Sequence, residues 1–211
     1  MLCFLSGCEE EQLPVGIETR IFGGVFDTIN QVPIPNVQVK ISEYLRQGTF
    51  SGTNRNFKGY LDSTLTKANG TYYIIFETSG KGTVYGIQIP LIENIHFESI
   101  QNFISEENIG GLEELNFYGT ILYPVNLRII TNDAFEENIL VYAQYSGDIM
   151  AHGSGQNSSE RILYLDKNHD NAITFNLNNT IPLLRVVKLV PPTNSELLTT
   201  VEIELFQSDF K

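Results

Sequence analysis

The 211-residue chain has no tryptophan, and its two cysteines, Cys3 and Cys8, leave the remaining 203 residues without a thiol. Such a body has no disulfide framework and no thiolate metal site. No run reaches the roughly 18 apolar residues that a spanning helix needs. The histidines are only three, His96, His152 and His169, and no H-x-x-H or H-E-x-x-H spacing joins them. No serine sits in G-x-S-x-G, the turn that presents a hydrolase nucleophile. Neither an enzyme nor a cofactor is implied. Basic residues are few as well: 13 against 25 acids, a net charge of −12. A chain of that sign repels phosphate backbones, so nucleic acid is not an expected partner.

What is present begins at the N-terminus. Leu5-Ser6-Gly7-Cys8 puts an apolar residue and two small ones before a cysteine, with Glu9-Glu10-Glu11 immediately after. The pattern resembles the lipobox of a bacterial lipoprotein, which implies lipidation at Cys8. Only Met1 to Leu5 precede it, fewer than the roughly 7–15 apolar residues of a secretory signal. Residues 1–8 are therefore read as a signal remnant and residues 9–17 as an acidic tether that holds a folded body off the bilayer.

From residue 18 the sequence alternates with period two, as on a pleated strand with one buried face. Val37, Val39 and Ile41 alternate with polar residues, and Tyr72, Ile74 and Phe76 with Tyr73, Ile75 and Glu77. Strands are predicted near 19–26, 37–45, 60–66, 71–77 and 83–89. Asn69-Gly70 signals a hairpin between the third and fourth, and 47–58 reads as a long exposed loop. Pro33 and Pro35 mark a loop or an edge. Residues 93–118 hold six Glu and no base and read as a solvated connection, with a short helix over 100–107. Beyond it, Val125/Leu127/Ile129, Ile139/Val141/Ala143/Tyr145, Ile173/Phe175/Leu177 and Val201/Ile203/Leu205 each share a face. Seven strands follow, near 117–122, 125–131, 138–145, 161–165, 172–178, 183–190 and 199–206. The expected fold is all-β, with two β-sandwich domains at 18–92 and 119–211. The glycine-rich stretch 146–160 is expected to be a long loop on the second.

Three stretches of the first domain carry a resemblance: Gly23-Gly24-Val25-Phe26-Asp27, then Val32-Pro33-Ile34-Pro35-Asn36-Val37-Gln38-Val39, and Thr66-Lys67-Ala68-Asn69-Gly70-Thr71-Tyr72. They resemble the pattern G-x-V-x-D, P-[IL]-x-x-[AV]-x-V and T-[DN]-x-x-G-x-[YF] of the carboxypeptidase regulatory-like domain. That resemblance implies a prealbumin-like (transthyretin-like) sandwich over 18–92, and says little about function. The second sandwich, with seven strands, is Ig-like or prealbumin-like. Lipobox, acidic run and regulatory-like module together are similar to cell-envelope lipoproteins of Bacteroidetes-type bacteria, which implies an outer-membrane or cell-surface location.

Two constellations merit weighing. Asp166, Asn168 and Asp170 begin a calcium-loop pattern, but position six is Asn171 and position twelve Leu177, so the turn glycine and the bidentate carboxylate are missing. These are weak metal candidates and a polar turn is the stronger reading. His152-Gly153-Ser154, with Asp148 nearby, is expected in an exposed loop. The leading expectation is a non-enzymatic, lipid-anchored envelope protein in an accessory, adhesion or assembly role. Its partners would be the membrane, through the lipid, and envelope proteins or glycan. The rival is a glycan- or peptide-binding module using the 146–160 loop.

Overall fold

A computed structural model describes residues 12–49, 52–132, 135–143, 149–166, 168–178, 180, 183–191 and 198–211. Cys8, the acids 9–11, Tyr145 and Asp148 lie outside the described residues. The chain divides into two compact units, one running up to Leu91 and including Phe97–Gly119, the other made of Ile92–His96 and Thr120–Lys211.

The first unit is built from β1 (Glu18–Asp27), β2 (Val32–Pro33), β3 (Gln38–Thr49), β4 (Gly52–Leu65), β5 (Thr71–Glu77) and β6 (Val84–Gln88), then, after β7 (Ile95–Phe97), whose Ile95 and His96 count with the second unit, from β8 (Gln101–Phe103), β9 (Leu112–Glu114) and the start of β10 (Phe117–Ile121). The second holds β11 (Tyr123–Thr131), β12 (Ile139–Ala143), β13 (Ile149–His152), β14 (Ser158–Leu165), β15 (Asn171–Leu177), β16 (Arg185–Val190) and β17 (Thr199–Leu205). The period-two runs have become faces: Val39, Ile41, Tyr72, Ile74 and Phe76 are buried in the first unit, and Val125, Leu127, Ile139, Val141, Ile173 and Phe175 in the second.

Both units arrange their strands alike. In the second, one sheet runs β14-β11-β17 and the other β13-β12-β15-β16. By rank in the unit these are 4-1-7 and 3-2-5-6, with the first strand parallel to the seventh. In the first unit β5 and β9 flank β1, β10 pairs parallel with β1, and the facing sheet runs β4-β3-β6-β8. Setting aside the short β2 and β7, and taking β9 and β10 as one interrupted strand, this is again 4-1-7 and 3-2-5-6. An immunoglobulin sandwich instead places its first strand beside its second. Both units are therefore prealbumin-like, which resolves the alternative left open for the second. Side chains of both sheets share one buried cluster in the second unit, and Phe76 meets Tyr85 across the sheets of the first, with ring centroids 5.3 Å apart.

The motif residues have local causes. Asp27 is buried, and its Oδ1 accepts from the backbone N–H of Ile29 (3.0 Å) and Asn30 (2.9 Å), fixing the turn after β1. Thr66 joins two of the motif stretches: its Oγ1 accepts from Val37 N–H and donates to Ile34 O, both at 2.9 Å. Gly23 faces the break between β9 and β10, where a Cβ would lie 1.8 Å from Leu115 O. Gly70 sits at φ +76° with its own Cβ position 2.7 Å from Val25 O.

Several sequence expectations are corrected. The turn at Asn69-Gly70 does not close a hairpin: β4 pairs with β3 and β5 with β1, so the chain crosses there from one sheet to the other. Most of 47–58 is paired strand, because β3 and β4 form one long ribbon. The acidic stretch 93–118 is not a solvated connection, since it carries β7, β8, β9 and the start of β10. Five of its six glutamates are exposed and Glu113 is half-buried, accepting from Ser105 N–H, while Phe97, Ile104 and Phe117 are buried. In place of a helix over 100–107 there is β8 and a 3-10 turn at Glu106–Asn108. The strand expected at 117–122 is divided, with 117–119 in the first unit and 120–122 in the second, and the second gains its seventh strand from β13, inside the expected 146–160 loop. That loop reduces, among the described residues, to the turn 153–157 between β13 and β14.

Candidate functional site

The largest departure from an ordinary strand surface is the outer face of the β4-β3-β6-β8 sheet. Along β3, Val39, Ile41, Glu43 and Leu45 are buried, which turns Lys40, Ser42, Tyr44 and Arg46 to the other face. Tyr60 stands opposite Ser42 and Phe57 opposite Tyr44. Phe57 and Tyr60 are three positions apart, an odd spacing that sends two side chains to opposite faces of a regular strand. Two register shifts, at Ile41/Ser42 and Glu43/Tyr44, leave Leu61 and Lys58 as extra residues on β4. The second of these bulges restores Phe57 and Tyr60 to one face.

The result is a row of rings. Tyr60 and Phe57 lie 5.0 Å apart, Phe57 and Tyr44 5.7 Å, and Tyr44 and Phe103 5.8 Å, each edge to face. A cation closes each end: Lys40 Nζ is 5.1 Å from the Tyr60 centroid and Arg55 Cζ 4.2 Å from that of Phe103. Exposed contacts of this kind contribute about 0.5–1 kcal/mol each. Tyr60 is nevertheless 58% exposed and Phe57 51%. An open hollow of about 300 Å³ lies at the Lys40 end, and another of about 780 Å³ lies at the Arg55 end, where Arg46 also pairs with Glu106 at 2.9 Å. Gln101 Nε2 donates to Tyr44 Oη at 2.6 Å, and Gln88 Nε2 to Ser42 Oγ. Beneath the face, Glu43 is buried and accepts from Tyr85 Oη (2.8 Å) and Ser79 Oγ (2.5 Å). Burial, and then the bond to Glu43, push the Tyr85 hydroxyl far above the ordinary tyrosine range.

None of this face was a sequence candidate. The missed signal is the pair of aromatic residues at odd spacing on either side of Lys58-Gly59, legible only once the bulge is known.

The sequence candidates fall elsewhere. Cys8, the lipidation candidate, lies outside the described residues. His152 is not exposed: it ends β13 with none of its surface accessible. Its Nε2 faces Gln156 O at 3.0 Å, and its Nδ1 meets Ser159 Oγ at 2.6 Å. A carbonyl only accepts, so Nε2 carries the hydrogen and Nδ1 accepts from Ser159. A neutral carbonyl in the place of a triad's carboxylate gives no support to an imidazolium, so the arrangement clamps the 153–157 turn. Ser154 instead donates to Glu136 O at 2.6 Å. Asp166 is buried, and its Oδ1 accepts from the N–H of Asn168 (2.7 Å) and His169 (2.8 Å) and meets His169 Nδ1 at 3.0 Å. Asn168 and Asp170 are exposed, and Asn171 reaches back to Asp166 and His169 through its side chain. This is a polar turn between β14 and β15. No group of three or more His, Cys, Asp or Glu residues able to hold a metal occurs among the described residues. Among them, no helix is long and apolar enough to cross a membrane.

No protein-family model matches the chain, and no curated protein does. Similar solved structures include the Bacillus anthracis TIE protein, at 9% identity and a TM-score of 0.37, covering 90% of this chain and 34% of that one. The Streptococcal ancillary pilin matches at 13% identity and 0.38, covering 89% and 62%. GBS52, the minor pilin of Streptococcus agalactiae, matches at 9% and 0.34, covering 89% and 94%. The chain thus spans about a third of the first and under two thirds of the second. Likeness at these values does not reach function.

Proposed function

We propose that the chain is a non-enzymatic, lipid-anchored protein of the bacterial cell envelope, displaying two prealbumin-like sandwiches in an adhesion or assembly role. The observation that carries this reading is Leu5-Ser6-Gly7-Cys8 with its acidic run, placed directly ahead of the first sandwich. The regulatory-like motif stretches, whose Asp27, Thr66 and Gly70 each have a structural task, support a module that serves as a scaffold. Several acyl chains on Cys8 give durable attachment, because each buried methylene contributes about 0.8 kcal/mol. The test is expression in a bacterial host with labelled palmitate. The parent chain is expected to take up label and partition into detergent. Cys8→Ala is expected to lose the label and become soluble. A Cys8→Ala chain that stays membrane-bound, or a parent that takes up no label, overturns the anchor.

A further inference from the structure

We infer that the outer face of the β4-β3-β6-β8 sheet is a binding site for an acidic polysaccharide, one whose sugar rings carry carboxylates. Three observations converge on it. First, Tyr60 and Phe57 offer ring surface to solvent over half or more of their area, and flat apolar rings with a polar edge are what sugar faces stack on. The register row Tyr60–Ser42–Gly86–Phe103 puts two small residues between two rings. Both small residues are buried, and the space over Gly86 is taken by the Gln101 amide and the Phe103 ring, 3.1 and 3.3 Å from where a Cβ would stand, so the middle of the row is floored by Gln88, Gln101 and Phe103.

Second, the charge of the face opposes that of the molecule. Residues 38–65 hold Lys40, Arg46, Arg55 and Lys58 against two acids in a chain of net −12. One of those acids, Glu43, is buried beneath the face; the other, Asp62, is exposed and lines the hollow at the Lys40 end, and Glu106 and Glu107 line the hollow at the Arg55 end, where Glu106 holds Arg46. Lys40 and Arg55 stand at the two ends of the row of rings, against Tyr60 and Phe103. Cations set apart by a run of rings suit a polymer that carries both stacking faces and carboxylates along its length.

Third, hydrogen-bonding groups that suit hydroxyls line the same rows. Gln88 and Gln101 follow Lys40 in register across β6 and β8, and hold Ser42 and Tyr44. The face lies wholly in the first unit, well removed in sequence from the 146–160 segment.

The experiment titrates the purified full chain with polygalacturonate, with its fully methyl-esterified counterpart and with oligo(dT), by calorimetry at two salt concentrations. Polygalacturonate is expected to bind, the ester and oligo(dT) weakly or not at all. The variant Phe57→Ala/Tyr60→Ala is expected to weaken binding by about tenfold while still melting cooperatively at a modestly lower temperature, because the ring contacts it removes are partly exposed and individually small. Lys40→Gln/Arg55→Gln is expected to remove most of the salt dependence. Cys8→Ala is expected to bind as the parent does, so this site and the anchor stand or fall separately. Failure to bind polygalacturonate, equal binding of the ester, equal binding by the aromatic variant, or tighter binding of oligo(dT) each overturns the inference.

Discussion

At the scale of single residues, the positions that matter most are those where backbone comes closest to backbone. Gly23 is the sharpest: a methyl group there would occupy the place of Leu115 O, 1.8 Å away, and a carbonyl cannot swing aside as a side-chain tip can. Gly23→Ala is expected to cost about 2–4 kcal/mol of unfolding free energy, read from the urea midpoint. A loss below about 0.5 kcal/mol, the size of an ordinary surface change, counts against the close approach. Tyr72 belongs to the same junction. Its hydroxyl donates to Leu115 O at 2.5 Å, and burial holds it far above the ordinary tyrosine range. His152 teaches the opposite lesson. Read in sequence among glycines it looked exposed, yet its ring is a buried clamp between Ser159 and Gln156 O.

At the scale of elements, the bulged β3–β4 ribbon decides what the first unit shows to solvent. Lys58 is an extra residue between Gly59, paired with Glu43, and Phe57, paired with Tyr44. Deleting it leaves Tyr60 opposite Ser42 and Phe57 opposite Tyr44 at an even spacing, so both rings stay on one face without a bulge. The deletion is expected to leave polygalacturonate binding and the second unit's unfolding transition in place; loss of binding would show that the bulge itself, and not only the pairing of the rings, sets the face. The strands themselves were legible because burial enforces period two: Val37/Val39/Ile41 and Ile173/Phe175/Leu177 lie on the faces their spacing implies. The site was not legible, because a bulge shifts phase without changing composition and because Phe103 comes from β8, a short strand hidden among glutamates. The turn residues also misled in part: Gly70 does take φ +76°, but a turn signal does not say whether the next strand returns beside the last or crosses to the facing sheet.

At the scale of the molecule, the boundary between the sandwiches is not the acidic stretch where composition changes. The first unit takes its sixth and seventh strands, β8 and β9/β10, from Phe97–Gly119, after the chain has passed through Ile92–His96 of the second. A fragment covering 12–92 therefore leaves β1 without its parallel neighbour and β6 without β8, whereas 12–119 is complete. The longer fragment is expected to give a cooperative melt and the shorter one none; a cooperative melt of 12–92 would disprove the assignment of 97–119 to this unit. The interleaving also sets an order of events during synthesis. After Leu91 has emerged, 28 more residues must follow before Gly119 arrives and β1 is covered on both sides, about 1 to 6 seconds at typical elongation rates. Throughout that interval one border of β1 is an open ladder of backbone donors and acceptors, ready to pair with any extended chain nearby. The hazardous moment of synthesis therefore comes in mid-chain, and a helper that met it would be one that shields a strand edge until residue 119 is delivered.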